Sequence, residues 1–267
     1  MLKLGWLSTG RGEGSRGFLE LIQGEIQAGS LDARIEFVFS NRGHGEAEGS
    51  DQFFRLVEGY GLPLKTLSSR RYQRDHGGGP ISGHRVGFHA QAMQMLSGFQ
   101  PDICVLAGYM LVTSPEMCRR YTMINLHPAL PHGPAGTWQQ VIWKLIEGEA
   151  AESGAMVHLA TDVVDAGPVL TFCSFAIRGA EFDPLWESAG RHPINELMAK
   201  GEEQPLFKRI RREGLRRERP LLLETLRALA GGRIKVSGSR VIDPGGAPAA
   251  EICLNGDVER FLTAGGD

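Results

Sequence analysis

LKLGWLSTGRGEGSRGFLELIQGEI, residues 2–26, is an apolar run, a glycine-rich turn and a helical period in immediate succession. Leu2 to Leu7 suits a buried strand, STGRGEGSRG a turn, and Phe18, Leu21, Ile22 and Ile26 recur on one face of a helix. The pattern then repeats. Arg34–Phe39 reads as a second strand ending in Ser40-Asn41, Phe53–Tyr60 as a helix and Leu64–Leu67 as a third strand. Strands and helices alternating in this way predict an α/β fold: an open, mostly parallel Rossmann-like sheet whose right-handed crossovers place helices on both faces.

Farther along, Ser68–Gly83 is rich in Arg and Gly, with GGGP at 77–80, and reads as a loop. Val86–Leu96 is an amphipathic helix, Ile103–Ala107 a buried strand ending at Gly108, Ser114–Arg120 a short helix and Met123–Leu126 another strand. Thr137–Glu147 is helical, and Met156–Ala160 and Pro168–Ala176 are strands flanking TDVVDAG. From Asp183 the pattern is helical with breaks at Pro193, Pro205 and Pro220, and the basic run Lys208–Arg219 reads as a solvated helix face. RIKVSGSRVID and AEICLNGDV predict hairpins turning at Ser237-Gly238 and Asn255-Gly256. Residues 1–200 are expected to form the α/β domain, and 201–267 a helical and β-hairpin C-terminal extension packed on it.

The 267 residues carry 29 Lys and Arg against 31 Asp and Glu, a net charge of -2. No whole-molecule field draws nucleic acid or an anionic membrane, so neither is an expected partner and any anion recognition is local. Cys104, Cys118, Cys173 and Cys253 lie far apart with no zinc-type spacing; buried thiols and no metal are expected. The N-terminus turns polar after Leu7, too early for a signal peptide, and no apolar run approaches a membrane span, so a reduced, cytoplasmic setting is expected.

The chemistry concentrates in INLHPALP, residues 124–131. In an extended segment Asn125 and His127 point to the same side, and Pro128 and Pro131 stiffen the exit. Alone, His127 reads as a cap on a core strand. Its company changes that: Gly108 and Asn125 are strand ends at one edge of a parallel sheet, where ligands bind. Four motifs run in order: VFSN at 38–41, PDICVLAGYM at 101–110, NLHPAL at 125–130 and DVVDAGP at 162–168. Over residues 2–180 they resemble the folate-dependent formyltransferases, and within them the phosphoribosylglycinamide formyltransferase branch.

The resemblance implies transfer of a formyl group from 10-formyltetrahydrofolate, as co-substrate, to a primary amine, with Asn125, His127 and Asp165 as the catalytic trio. Amine attack on the formyl carbon develops an oxyanion, to which an Asn amide donates. An imidazole moves protons between nitrogens, and a carboxylate fixes its tautomer. The same resemblance implies a folate pocket of Gly108, Met110, Leu111, Val112, Thr113, Thr161, Asp162, Val163 and Val164. It also sets Arg85 toward the glutamate tail, although Arg85 equally reads as a solvated residue at a helix start. Gly14, Ser15 and Arg16 stand where the family binds a phosphate at a helix N-terminus, and Glu213 loosely matches its second acceptor-contacting region.

The implied acceptor is glycinamide ribonucleotide, in purine biosynthesis; an amino-sugar nucleotide or another amine is the alternative, and a homodimer is compatible with either. The chain departs from the family pattern at Arg16, in place of an asparagine, at Leu111, in place of an arginine, in the longer TGRGEG turn and in HPALPHGPAGTW. Gly12–Gly17 also satisfies GxGxxG, the mark of a nicotinamide-dependent oxidoreductase, yet the second strand ends in Ser40-Asn41 with no acid for a ribose. A transfer-RNA formyltransferase is expected to carry a longer C-terminal barrel, and a formyltetrahydrofolate hydrolase a regulatory domain ahead of its first strand.

Overall fold

The computed structural model describes residues 1–265, divided between two compact units. The first comprises Met1–Asn125, Leu159–Pro168 and Leu226–Ala249. It opens with the predicted alternation: β1 (Leu2–Ser8), α1 (Glu13–Gln27), β2 (Ala33–Ser40), α2 (Glu48–Gly59), β3 (Leu64–Thr66), α3 (Ser69–Asp75), α4 (Ile81–Met95), β4 (Ile103–Leu106), α5 (Pro115–Arg120) and β5 (Met123–His127). Its strands run β5-β4-β1-β2-β3, all parallel. Gly5 has no alternative residue here, because a Cβ would stand 2.6 Å from both the Cys104 sulfur and the Phe37 ring. Leu7, Phe37, Phe39 and Met123 of the strands pack with Phe88, Leu96 and Met117 into one core.

The second unit comprises Leu126–His158, Val169–Thr225 and the described residues from Ala250 onward. It contains α6 (Trp138–Glu147), β6 (Glu152–Leu159), β7 (Val169–Ala176), α7 (Asp183–Ala189), α8 (Ile194–Ala199), most of α9 (Pro205–Ala230), β10 (Ile252–Cys253) and α10 (Asn255–Thr263). The strand order is β10-β7-β6, with β6 and β7 antiparallel and β10 parallel to β7. Its core gathers Ile142, Ile177, Trp186, Leu206, Phe207 and Ile210. The hairpin of β8 (Lys235–Ser237) and β9 (Arg240–Ile242) belongs to the first unit. Among the described residues no helix is long and apolar enough to cross a membrane.

The structure differs from the sequence reading in several elements. Ser68–Gly83 is not all loop: the Ser68 hydroxyl accepts from the Arg71 N–H and caps α3, and Tyr72 fixes that helix edge-on to Phe88. Pro220 does not break α9. An interior proline costs about 3 kcal/mol, and burying a leucine gains about 1.5–3 kcal/mol. The fully or almost fully buried Leu221, Leu222 and Leu223 together outweigh that cost. Asn255-Gly256 opens α10 instead of a hairpin turn, since the Asn255 amide is taken by Ser174, accepting from its N–H at 2.7 Å and donating to its hydroxyl at 3.2 Å. Of the four thiols only Cys104 and Cys173 are buried, Cys173 pushed up to about 12 by that burial, whereas Cys118 is half-buried and Cys253 exposed.

The basic run is not simply solvated either. Arg211 stacks on Trp138 at 4.3 Å, Arg217 on Phe175 at 4.7 Å and Arg209 lies over Phe182 at 5.6 Å. Arginine combines a charged edge with a flat weakly hydrated face, so a helix rich in it can cover aromatic surface.

Candidate active site

β1 ends in Ser8 and Thr9 follows it, both buried, and the chain turns at Gly10, whose φ of +66 and 2.7 Å clearance to Phe53 exclude any side chain. The Thr9 hydroxyl then acts in both directions. It accepts from the Met110 N–H at 2.9 Å and donates to the Asn41 Oδ1 at 2.8 Å, and the Asn41 amide donates to the Ser69 hydroxyl at 3.3 Å. The Ser50 hydroxyl holds the Thr9 carbonyl at 3.2 Å. One buried relay thus joins the loops leaving β1, β2, β3 and β4 at their carboxyl ends, the edge where parallel sheets take ligands. Sequence reading had flagged Asn41 only as a motif residue and missed Thr9.

Helix α1 starts inside the glycine-rich turn, so Gly14, Ser15 and Arg16 form its first turn. Gly12 at the N-cap has no side chain to satisfy the first N–H groups; the Ser15 N–H turns back to the Gly12 carbonyl at 3.2 Å, which leaves those of Glu13 and Gly14 and the helix dipole for an anion. Arg16 is half-buried, and its Nη1 has no hydrogen-bond partner among the described residues. The Ser15 hydroxyl lies 2.5 Å from where a Cβ on Gly108 would sit, and Gly108 has a φ of +71. The first turn of α1 and the turn after β4 therefore close on each other only because residue 108 is glycine.

That turn presents Met110 and Val112, 74% and 45% exposed, while Thr113 is buried with its hydroxyl 3.2 Å from the Cys118 sulfur; Leu111 is half-buried between them. Beneath it lies His89, fully buried, accepting from the Ser114 N–H at 3.1 Å and bonded to the Tyr109 hydroxyl at 3.1 Å. Burial and then the Arg85 charge push its pKa down to about 4, so it stays neutral and props the turn. Nothing in the sequence marked it, because a lone histidine inside a helix carries no pattern. Arg85 sits one turn earlier on α4, half-buried, its Nε without a hydrogen-bond partner among the described residues.

Asn125 pairs with Leu106 at the end of β5, half-buried. The 161–168 loop is tied to the same strand by the Ala160 N–H, which donates to the Met123 carbonyl at 2.8 Å. Within it the Thr161 hydroxyl donates to the Val163 carbonyl at 2.9 Å; Asp162 and the 60% and 57% exposed Val163 and Val164 face outward. Asp165 adopts a φ of +54, a left-handed conformation costing a non-glycine residue about 1–2 kcal/mol. Such strain persists where the surroundings demand it and often marks function.

Two of the sequence-marked residues belong to the second unit. His127 continues β5 two residues beyond Asn125; it is 4% exposed, and its Nε2 donates to the Pro134 carbonyl at 3.3 Å, which fixes that nitrogen as the protonated one. Glu213 lies in α9 among arginines, 3.1 Å from Arg217, 3.3 Å from Arg216 and 3.4 Å from Arg209. Burial raises its pKa, but those arginines outweigh burial and hold it below the usual carboxylate range. Among the described residues no three His, Cys, Asp or Glu are grouped to hold a metal ion.

Residues 13–181 match the family model for formyl transferases. The chain belongs to the formyl transferase family. Curated relatives include a phosphoribosylglycinamide formyltransferase of Schizosaccharomyces pombe, 29% identical over 51% of this chain and 65% of its own length. The formyltetrahydrofolate deformylase of Escherichia coli strain K12 is 28% identical over 53% of this chain and 44% of its length. The aligned part of the chain spans less than two thirds of these relatives. Among solved structures, the phosphoribosylglycinamide formyltransferase from Coxiella burnetii superposes over 94% of this chain and 98% of that one, with a TM-score of 0.66 and 23% identity. This formyl transferase therefore shares that enzyme's α/β fold.

Proposed function

We propose that this formyl transferase moves the formyl group of 10-formyltetrahydrofolate onto the primary amine of a phosphorylated acceptor, with glycinamide ribonucleotide first among candidates. The observation that carries the proposal is local: the uncapped first turn of α1, the Gly108 turn and Asn125 meet the carboxyl edge of one parallel sheet. The Gly14 N–H with the Arg16 guanidinium suits a phosphate, while the exposed Met110, Val112, Val163 and Val164 suit the face of a flat heterocycle such as a pterin.

In the proposed reaction the amine nitrogen attacks the formyl carbon, the carbon–N10 bond of the folate breaks, and the nitrogen left on folate takes up the proton the amine loses. Asn125 donates to the oxyanion, His127 carries the proton between the two nitrogens, and Asp165 is the carboxylate of the trio. Cytoplasmic location, a homodimer and the C-terminal segment as an extension of residues 1–200 belong to the same reading. The relatives include formyltetrahydrofolate deformylases, so dependence on an amine is the deciding measurement. Purified protein should consume 10-formyltetrahydrofolate with glycinamide ribonucleotide present and not without it. Consumption at the same rate without any amine would overturn the proposal in favour of hydrolysis, and consumption only with an amino-sugar nucleotide would replace the acceptor.

A further inference from the structure

The loops leaving β2 and β3, together with α3, border a half-open cavity of about 480 Å³ that none of the residues discussed for formyl transfer lines. Its side chains include His44, Ser68, Arg71, Tyr72, Asp75 and His76. The Tyr72 and His76 rings stack with centroids 3.9 Å apart and planes at 11°, and Tyr72 is braced by Phe88 at 5.5 Å. Gly87 on α4 makes room for it, because a Cβ there would stand 2.6 Å from the Tyr72 hydroxyl. The result is a rigid aromatic platform assembled before any ligand arrives. Opposite in sequence, His44 rests on Phe54 at 4.8 Å.

The surroundings carry excess positive charge. Arg42 precedes the cavity residue Gly43; its side chain is 13% exposed, its closest carboxylate contact is Glu46 at 3.9 Å, and its Nε and Nη1 lack hydrogen-bond partners among the described residues. Burial and Arg70 push its pKa down, Glu46 pushes it up, and Arg11 pushes it down again. Arg70 and Arg71 are exposed on α3, the second at the cavity wall. A largely buried guanidinium with other cations close by is unfavourable until an anion joins it.

We propose that this cavity binds a nucleoside monophosphate, the base on the Tyr72–His76 platform, the ribose hydroxyls on Asp75 and the phosphate on Arg71, within the field of Arg42 and Arg70. Each part of the wall has one chemical counterpart: a flat π surface for a heterocycle, a carboxylate for a diol, a guanidinium for a phosphate. The volume lies within the range of small-ligand sites, roughly 300–1,000 Å³. The site does not depend on the formyl-transfer reading, since none of its residues is assigned there.

Calorimetric titration of the full chain with adenosine 5′-monophosphate, adenosine and ribose 5-phosphate tests it. The monophosphate should bind one to one, with adenosine and ribose 5-phosphate each at least tenfold weaker. Arg71→Gln should weaken the monophosphate about tenfold or more and leave adenosine unchanged, as loss of one charge-assisted bond requires. Tyr72→Ala should weaken both, with His76→Ala as the substitute should that variant lose its fold by circular dichroism. Arg16→Gln, which alters the turn after β1, should leave all three affinities as they were. Absence of monophosphate binding, equal binding of ribose 5-phosphate, retention in Arg71→Gln or loss in Arg16→Gln instead would each overturn the proposal.

Discussion

Arginine plays opposite parts in two regions of this molecule. In α9 the arginines at 209, 211, 216 and 217 are ion-paired with Glu213 and Glu218 or laid on Trp138, Phe175 and Phe182, so their charge is answered within the protein even though the Arg209 Nε has no hydrogen-bond partner of its own among the described residues. In the loops at the carboxyl ends of β1 and β2, Arg16 and Arg42 keep buried nitrogens with no hydrogen-bond partner among the described residues. A charge answered internally contributes to folding. A charge held ready in a buried turn costs stability and is retained for something that arrives from outside.

The comparison is broken or sharpened by substitutions on each side. The largest effect is expected at the proposed oxyanion donor: Asn125→Ala should cut kcat/KM about 100- to 1,000-fold, on the order of 3–4 kcal/mol, with the thermal midpoint nearly unchanged. Steady-state kinetics beside a melting curve check both halves, and an equal loss of stability would erase the distinction. In α9 the order reverses. Glu213→Ala leaves its arginines facing one another and should lower unfolding free energy by on the order of 2–3 kcal/mol in urea titrations, with the acceptor KM unchanged. A raised KM at full stability would instead place Glu213 at the acceptor.

His89 gives the pH arm. Its folded pKa of about 4 lies below the ordinary imidazole value of 6.5, so the unfolded chain binds the proton more readily. Stability contributed by neutral His89 is present above that higher value and is lost as pH falls from about 6.5 toward 4. Urea midpoints should drop over that window in the wild type and drop less in His89→Gln. The smallest effect is expected at the helix turn, where Arg16→Gln should raise the KM of a phosphorylated amine about tenfold, roughly 1.4 kcal/mol, and spare kcat.

Much of this architecture was legible before any coordinates. The first unit's alternation of apolar runs with helical periods is a strong local signal, and β1, β2, β4 and β5 fall within a residue or two of their expected bounds. That Asn125 and His127 lie two residues apart on one strand was legible from the apolar run leading into them. The failures arise where contacts distant in sequence override local propensity. Asn255-Gly256 reads as a turn until Ser174 takes its amide, and Pro220 reads as a break until three leucines are buried beside it. The Thr9–Asn41–Ser69 relay joins residues separated by whole elements, so no window of sequence reveals it.

That relay has a practical corollary for anyone exchanging segments between homologous chains. A donor loop inserted after β2 arrives with its own partner for position 41, and a threonine at 9 or serine at 69 that does not suit it leaves an amide stranded in the interior. The three positions, with the Met110 N–H that leans on them, form one heritable block, and chimeras cut between them should fail to fold before they fail to function.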